Sequence, residues 1–395
     1  MAFNFEYYSP TRVVFGRGTE QKVGSLIREY GGTRVLVIYG GKSAVRSGLL
    51  DRVNTALDEA GLYHTALGGV VPNPHLDKVR EGIALGQAEQ IDFLLGVGGG
   101  SVIDTAKAIA YGLAEPDKDV WDLYEHIRAA EKCLPVASVL TIAAAGSETS
   151  KSSVITNTEN GEKRGYDNNL ARPKFAIMDP ELTTTLPDYQ TEAGCTDIMM
   201  HTMERYFTSG GNMEITDALA EGLLCTVMKN ARILHTDPQD YDARAEVMWA
   251  GSLAHNDLTG CGNNGGDFMS HRMEHELGGM FDVTHGAGLA AIWSHWARYV
   301  YRDCLPRFVQ FARNVMGVAD ATTDEETALR GIAAMEDFYH EIGMPTNLRE
   351  LGVHPTEAQM REMAQRCVAA CGARTGSAKH LTEDDMVKIY EMANQ

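Results

Sequence analysis

"LLGVGGGSVIDTAKA" (residues 94–108) runs from an unbroken apolar stretch, through Gly96, Gly98, Gly99 and Gly100, straight into a helical pattern. An apolar run without polar alternation is the mark of a strand covered on both faces, as in a parallel sheet. Glycines at the strand end let a ligand approach the backbone. Ser101 stands where it can cap the following helix, and unpaired N–H groups at a helix start favour phosphate. The stretch departs from the dinucleotide fingerprint G-x-G-x-x-G, because Ser101 occupies the third glycine's place. Taken alone, such a turn is a tight turn as readily as a nucleotide site.

The neighbouring segments extend the same pattern. "RVLVIY" (34–39), "DFLLGV" (92–97), "PVASVL" (135–140) and "KFAIMD" (174–179) are strand-like, and helical stretches over 19–30, 47–60, 75–90 and 101–114 separate or follow them. Strands alternating with helices imply a parallel, helix-covered sheet. After "MDPELTTTLPDYQ" (178–190) the pattern is helix upon helix. The expectation is a Rossmann-like α/β domain over residues 1–190 and an all-α domain over 191–395. A chain of 395 residues also exceeds one ordinary core, so two domains are the prior.

Composition narrows the function. With 44% hydrophobic and 23% charged residues the chain reads as soluble and globular. No stretch reaches the ~20 apolar residues of a membrane span, and the N-terminus lacks a signal-peptide apolar region. A formal charge of −19 argues against nucleic acid or an anionic membrane as partner. The seven cysteines are scattered. Cys367 and Cys371, four apart, fit one helix face rather than a zinc knuckle, so a cytoplasmic protein with reduced thiols is expected.

Two further segments carry chemistry. After strand 34–39 comes "GGKSAVRSG" (40–48), with Gly40, Gly41, Lys42, Ser43 and Arg46 and no acid. Such a loop is either a solvated turn or a seat for an extra phosphate, which would favour NADP over NAD. In the helical half, "EAGCTDIMMHTMERYF" (192–207) stacks Asp197 and His201 four apart. "HRMEHELGGMFDVTH" (271–285) holds three of the chain's 13 histidines, His271, His275 and His285. One i, i+4 pair is most often a plain hydrogen bond. Two pairs and a further histidine, supplying one carboxylate and several imidazoles, suit a borderline divalent metal such as Fe2+ or Zn2+. Cys195 and Cys261 read as structural core thiols, and His255 as a residue that caps or packs.

Several motifs in order resemble the iron-containing (group III) alcohol dehydrogenases, and within them the NADPH-dependent butanol dehydrogenase branch. They are "YYSPTRVVFGRGT", "YGGKSAVRSGLLD", "VVPNPHLDKV", "GVGGGSVIDTAK", "TIAAAGSE" and "GDFMSHRMEHELGGMFDVTHGAGLA". The resemblance implies metal ligation by Asp197, His201, His271 and His285, with His275 beside the nicotinamide and substrate as the catalytic, proton-relaying residue. It implies pyrophosphate contacts at Gly98, Gly99, Gly100 and Ser101, and further cofactor contacts at Asp104, Thr141 and Ser147. In the loop after strand 34–39, Gly41 stands where NAD-preferring relatives carry aspartate, and Lys42 where related butanol dehydrogenases have a third glycine. The implied enzyme uses NADP(H) and one divalent metal, Fe2+ ahead of Zn2+. It would interconvert primary alcohols and aldehydes in a cleft between the two domains, as a homodimer. Glycerol dehydrogenase and dehydroquinate synthase share the architecture, and a metal-dependent hydrolase is the rival from another class. Dehydroquinate synthase would need more basic residues near the metal than Arg205 and Arg272.

Overall fold

The computed structural model describes residues 2–211, 213–371 and 375–395. The chain divides into two compact units, one of Ser9–Thr185 and one of Leu186–Gln395 together with Met1–Tyr8. The expected division at 190/191 gave the whole N-terminus to the sheet. The difference has a local cause: the Phe3 N–H donates to the Gly262 carbonyl, and the Phe3 ring lies so close over Gly211 that a Cβ there would meet it at 2.0 Å. At the other end, the helix that opens the second unit begins at Asp188, with Pro187 at the N-cap position and no side-chain cap bond.

The sheet unit contains β1 (Arg12–Phe15), α1 (Val23–Glu29), β2 (Arg34–Tyr39), α2 (Ser43–Arg46), α3 (Leu49–Glu59) and β3 (Tyr63–Leu67). It continues with α4 (Leu76–Ala88), β4 (Phe93–Gly98), α5 (Gly100–Ala114), α6 (Trp121–Tyr124), β5 (Val136–Leu140), β6 (Ser152–Asn157), β7 (Glu162–Asp167) and β8 (Phe175–Met178). Six strands form one sheet in the order β1-β8-β5-β4-β2-β3, every pair parallel. Alternate residues of the central strands feed two cores. Leu36, Ile38 and Leu94 pack with α4 and α5, while Val35, Val37, Phe93, Leu95 and Val97 pack with α1 and α3. This double coverage is why β4 is buried at all six positions and reads as a continuous apolar run.

Chain order along the sheet reverses at β2 and β4, which lie side by side with Tyr39 opposite Val97. In open parallel sheets ligands bind beyond the carboxyl ends of the strands at this reversal. A second, antiparallel sheet pairs β6 with β7.

The helical unit holds α7 (Asp188–Tyr206), α8 (Glu214–Thr236), α9 (Tyr241–His255), α10 (Met269–Phe281), α11 (His285–Val300), α12 (Leu305–Asn314), α13 (Asp324–Glu341), α14 (Glu357–Cys371) and α15 (Glu383–Ala393). Helix α7 is its axis, buried at every position from Thr191 to Tyr206, with α8, α9 and α11 packed around it. Among the described residues no helix is long and apolar enough to cross a membrane.

Candidate active site

In the sheet unit the carboxyl ends of β2, β4 and β5 bring the expected cofactor residues to one edge. Gly98 pairs with Leu140, and the next amide, Thr141 N–H, donates to Gly98 O at 3.1 Å. Gly99 is the N-cap of α5 and makes no side-chain cap bond. Ser101 therefore does not cap the helix, as its position in the sequence suggested; it lies in the first turn. The glycines there are needed for contact: a Cβ at Gly99 would stand 1.9 Å from Ile142 Cγ2, and one at Gly100 would stand 3.1 Å from Ala145 Cβ. The Val102 and Ile103 N–H groups both donate to Gly99 O at 3.1 Å; the Gly100 and Ser101 N–H groups before them have no intrahelical acceptor and suit an anion.

Asp104 and Ser147 are bonded to each other. Ser147 Oγ donates to Asp104 Oδ1 at 2.5 Å, and Val154 N–H donates to Asp104 Oδ2 at 3.0 Å. Beneath them lies Lys107, fully buried. Its ammonium donates to the carbonyls of Ser147, Ser150 and Ser152 at 2.7, 3.0 and 2.7 Å. Burial lowers its pKa to about 8, against the pull of Asp104 and Glu148. The Asp104–Lys107–Ser147 knot thus pins the segment after β5 onto α5.

The β2 loop is open. Gly41, Lys42 and Ser43 are exposed, and a Cβ on Gly41 would meet nothing within 4 Å. Among the described residues neither Lys42 nor Arg46 has a carboxylate partner.

In the helical unit Asp197, His201 and His271 offer ligand atoms within 4.8 Å of one another, and Glu274, His275 and His285 form an adjoining group. The two groups meet at Asp197: its Oδ1 is 3.6 Å from His271 Nε2 and 3.8 Å from His285 Nε2. Gly286 makes that approach possible, since a Cβ there would fall 1.9 Å from the Ala193 carbonyl oxygen of α7.

Each imidazole is aimed by its other nitrogen. His201 Nδ1 lies 3.0 Å from the Asp197 carbonyl one turn earlier. His271 Nδ1 is held by Glu204 Oε1 at 3.0 Å, an oxygen that also accepts the His271 N–H at 2.9 Å. His285 Nδ1 is held by the Glu274 carboxylate. Asp197 Oδ1 and His271 Nε2 are left buried without a hydrogen-bond partner. Buried polar atoms are ordinarily paired, so two orphans facing each other fit a bound cation.

Electrostatics agree with that fit. Burial alone would raise the Asp197 carboxyl, but the imidazoles of His201 and His285 hold it well below its ordinary range. Burial lowers His201 to about 4, leaving it neutral and able to ligate. His271 is opposed by burial, yet the neighbouring Asp197 and Glu204 carboxylates raise it to about 9, so the pair of carboxylates favours positive charge at this point. His275 is half-buried, its ring centroid 5.7 Å from that of His285 and 6.5 Å from that of His271.

Sequence reasoning missed Glu204 and Glu274, the carboxylates that orient two of the imidazoles. The signal for Glu204 was present, because Asp197, His201 and Glu204 share one helical face at i, i+4, i+7. His255 packs as expected, its ring 4.0 Å from that of His201.

The family model for iron-containing alcohol dehydrogenase matches residues 10–180, and the model for the C-terminal domain of the Fe-containing alcohol dehydrogenase family matches 191–394. The NADH-dependent butanol dehydrogenase A of Clostridium acetobutylicum is 38% identical over 98% of this chain and 99% of its own. The NADPH-dependent aldehyde reductase YqhD of Escherichia coli is 33% identical over 99% of both. Among solved structures, NADH-dependent butanol dehydrogenase A from Thermotoga maritima superposes with a TM-score of 0.96 at 37% identity, covering 99% of each chain.

Proposed function

This chain belongs to the iron-containing alcohol dehydrogenase family and is an oxidoreductase of the alcohol dehydrogenase and aldehyde reductase class, and from that premise we propose that it interconverts primary, butanol-like alcohols and their aldehydes with NADP(H) and one divalent metal, Fe2+ ahead of Zn2+. The observation that carries the metal reading is the facing pair of buried, unpartnered atoms, Asp197 Oδ1 and His271 Nε2. Asp197, His201, His271 and His285 would hold the ion. When bound, the metal supplies Lewis acidity toward the substrate oxygen and the nicotinamide supplies or accepts the hydride.

The protein's own residues do the rest. Glu204 and Glu274 fix the tautomers of His271 and His285, so that each Nε2 faces inward. His275, beside both and partly open to solvent, is suited to pass the substrate hydroxyl proton outward. The N–H groups at the start of α5 receive the pyrophosphate. A hydrolase has no use for this pairing of a dinucleotide turn with a redox-family fold, and that rival is set aside.

The NADP(H) preference rests on the β2 loop. Lys42, Ser43 and Arg46 offer charge and donors around Gly41, with no carboxylate to repel a 2′-phosphate. Some of the relatives are NADH-dependent by name and another is NADPH-dependent, so the test compares both cofactors. Metal-analysed protein is supplied with butyraldehyde, and consumption of NADPH and NADH is followed by absorbance. The reading requires aldehyde-dependent oxidation of NADPH with a kcat/KM above that for NADH. Comparable values would defeat the cofactor preference, and absence of turnover with either metal loaded would defeat the reaction.

A further inference from the structure

Helix α14 carries two thiols one turn apart. Cys367 and Cys371 share one helical face, and their Sγ atoms are 3.9 Å apart. Their surroundings differ. Cys367 is buried and Cys371 is partly exposed. Helix α14 packs on α10, which presents Arg272 and Glu276 to the pair.

The bond from Cys367 and the neighbouring Arg272 guanidinium, which donates to the Cys371 sulfur, together bring the Cys371 thiol down to about 7. Its bond to Cys371, together with burial, drives Cys367 the other way. Burial pushes Cys133, Cys195 and Cys304 up to about 12. Cys225 and Cys261 are raised too. One cysteine of seven thus combines thiolate character with access, and it has a second thiol within reach.

We infer that Cys371 and Cys367 form a peroxide-responsive dithiol, with Cys371 as the attacking thiolate and Cys367 as the resolving thiol. The Cys371 thiolate attacks one oxygen of a hydroperoxide and the O–O bond breaks. Two electrons pass from sulfur to the peroxide, whose departing hydroxide takes up a proton as water, and Cys371 becomes a sulfenic acid. Cys367, giving up its proton, attacks the Cys371 sulfur; the S–O bond breaks and the oxygen leaves as a second water. Two thiols and one hydrogen peroxide yield one disulfide and two waters.

Helical spacing permits the bond. Cα atoms four apart lie about 6 Å from each other, inside the roughly 4.4–6.8 Å span of disulfides. The Cβ atoms must close from about 5–6 Å to about 4 Å. The Sγ atoms, already 3.9 Å apart, have to approach by about 2 Å to reach bonding distance. The oxidised pair no longer offers Arg272 an anionic neighbour, so the modification is felt on the helix that carries His271 and His275.

The test treats the full chain, with zinc as the only added metal, with a small molar excess of hydrogen peroxide, followed by intact mass and peptide mapping. A loss of about 2 Da, mapped to a Cys367–Cys371 link and reversed by dithiothreitol, is expected. Cys371 should be consumed on the order of tenfold faster than exposed Cys225. Cys367→Ser should stop at a sulfenic acid on Cys371 that a dimedone-type reagent traps, and Cys371→Ser should leave Cys367 unmodified at the same dose. The unmodified protein decides the question should either variant fold poorly. Retention of both thiols while other cysteines oxidise, or Cys371 reacting no faster than Cys225, overturns the inference.

Discussion

Gly99→Ala separates two reasons for a glycine, backbone freedom and room. Gly99 has φ −90° and ψ −166°, extended geometry that alanine adopts without strain. The obstacle is Ile142, whose Cγ2 would stand 1.9 Å from the new Cβ, whereas carbons in contact sit about 3.5–4.0 Å apart. Ile142 or the start of α5 must yield by roughly 1.5–2 Å, and overpacking of that kind costs about 1–3 kcal/mol. The displaced residue follows Thr141, which is bonded to Gly98, so the cost falls on the turn assigned to the pyrophosphate. Drawn wholly from cofactor binding, it weakens NADPH by about 5- to 150-fold, at about 1.4 kcal/mol per decade. Whatever is not drawn from binding lowers the melting temperature. The assay is fluorescence titration with NADPH beside a thermal melt, on Gly99→Ala, Ile142→Ala and the double variant. Truncating Ile142 removes Cγ2 and leaves its Cβ at 3.4 Å, an ordinary contact. The double variant should therefore bind NADPH more tightly than Gly99→Ala alone, a coupling that a mutant cycle measures. Gly41→Ala is the control, since its Cβ meets nothing within 4 Å, and its stability should change by less than about 0.5 kcal/mol. Unchanged affinity and melting in Gly99→Ala, or simply additive losses in the double variant, would refute the steric argument.

Three further outcomes are expected. Gly41→Asp, sterically free, should cut kcat/KM for NADPH by roughly ten- to ten-thousandfold relative to NADH, from one or two lost charge-assisted contacts of about 1.5–3 kcal/mol each; steady-state kinetics with both cofactors would expose an equal effect, which contradicts the loop assignment. His271→Ala should lose bound metal by elemental analysis while NADPH still binds, whereas His275→Ala should keep its metal and lose rate with an altered pH profile; equal metal loss in the two variants would show the roles misassigned. Lys107 titrates near 8 when folded, below the ordinary lysine value of 10.5, so its contribution to stability is present above 10.5 and is lost as pH falls through about 8. Between pH 8 and 10 the unmodified protein should gain on the order of 2 kcal/mol relative to Lys107→Met in chemical denaturation, and parallel pH curves would count against a buried, depressed lysine.

The strands that lie between two layers were legible, because burial on both faces leaves no polar residue inside "VLVI" (35–38) or "FLLGV" (93–97). The β6–β7 hairpin was not. Its "SSVITN" and "EKRGYD" are mostly polar, and only Ser153, Ile155, Thr156, Lys163 and Tyr166 are buried there. Edge strand β3, "YHTAL", was silent for a related reason: paired on one side only, it buries just Leu67. In the site, stacking at i, i+4 made Asp197, His201 and His271 visible before any fold was known. Glu274 could not be found that way, since a helical glutamate beside two histidines is ordinarily solvated, and only its full burial against His285 shows what it does. Asp104 and Ser147 were singled out by the resemblance, but the bond between them was not foreseen, since it depends on how β5 and α5 meet in space.

A ribosome makes the N-terminal segment first, yet it is among the last pieces to find its place. Phe3 bonds to Gly262 and lies over Gly211, residues that emerge roughly 200 to 260 positions later; at about 5–20 residues per second the wait is roughly 10–50 s. All six strands of the main sheet lie within Ser9–Thr185 and can assemble during that interval. Phe3 meanwhile has no partner yet synthesised, and it stands among Phe5, Tyr7 and Tyr8, which stay exposed even in the finished fold; an aromatic stretch of this kind captures neighbouring nascent chains. Slowing translation beyond residue 185 should therefore lengthen the exposure of this stretch while leaving the sheet unaffected.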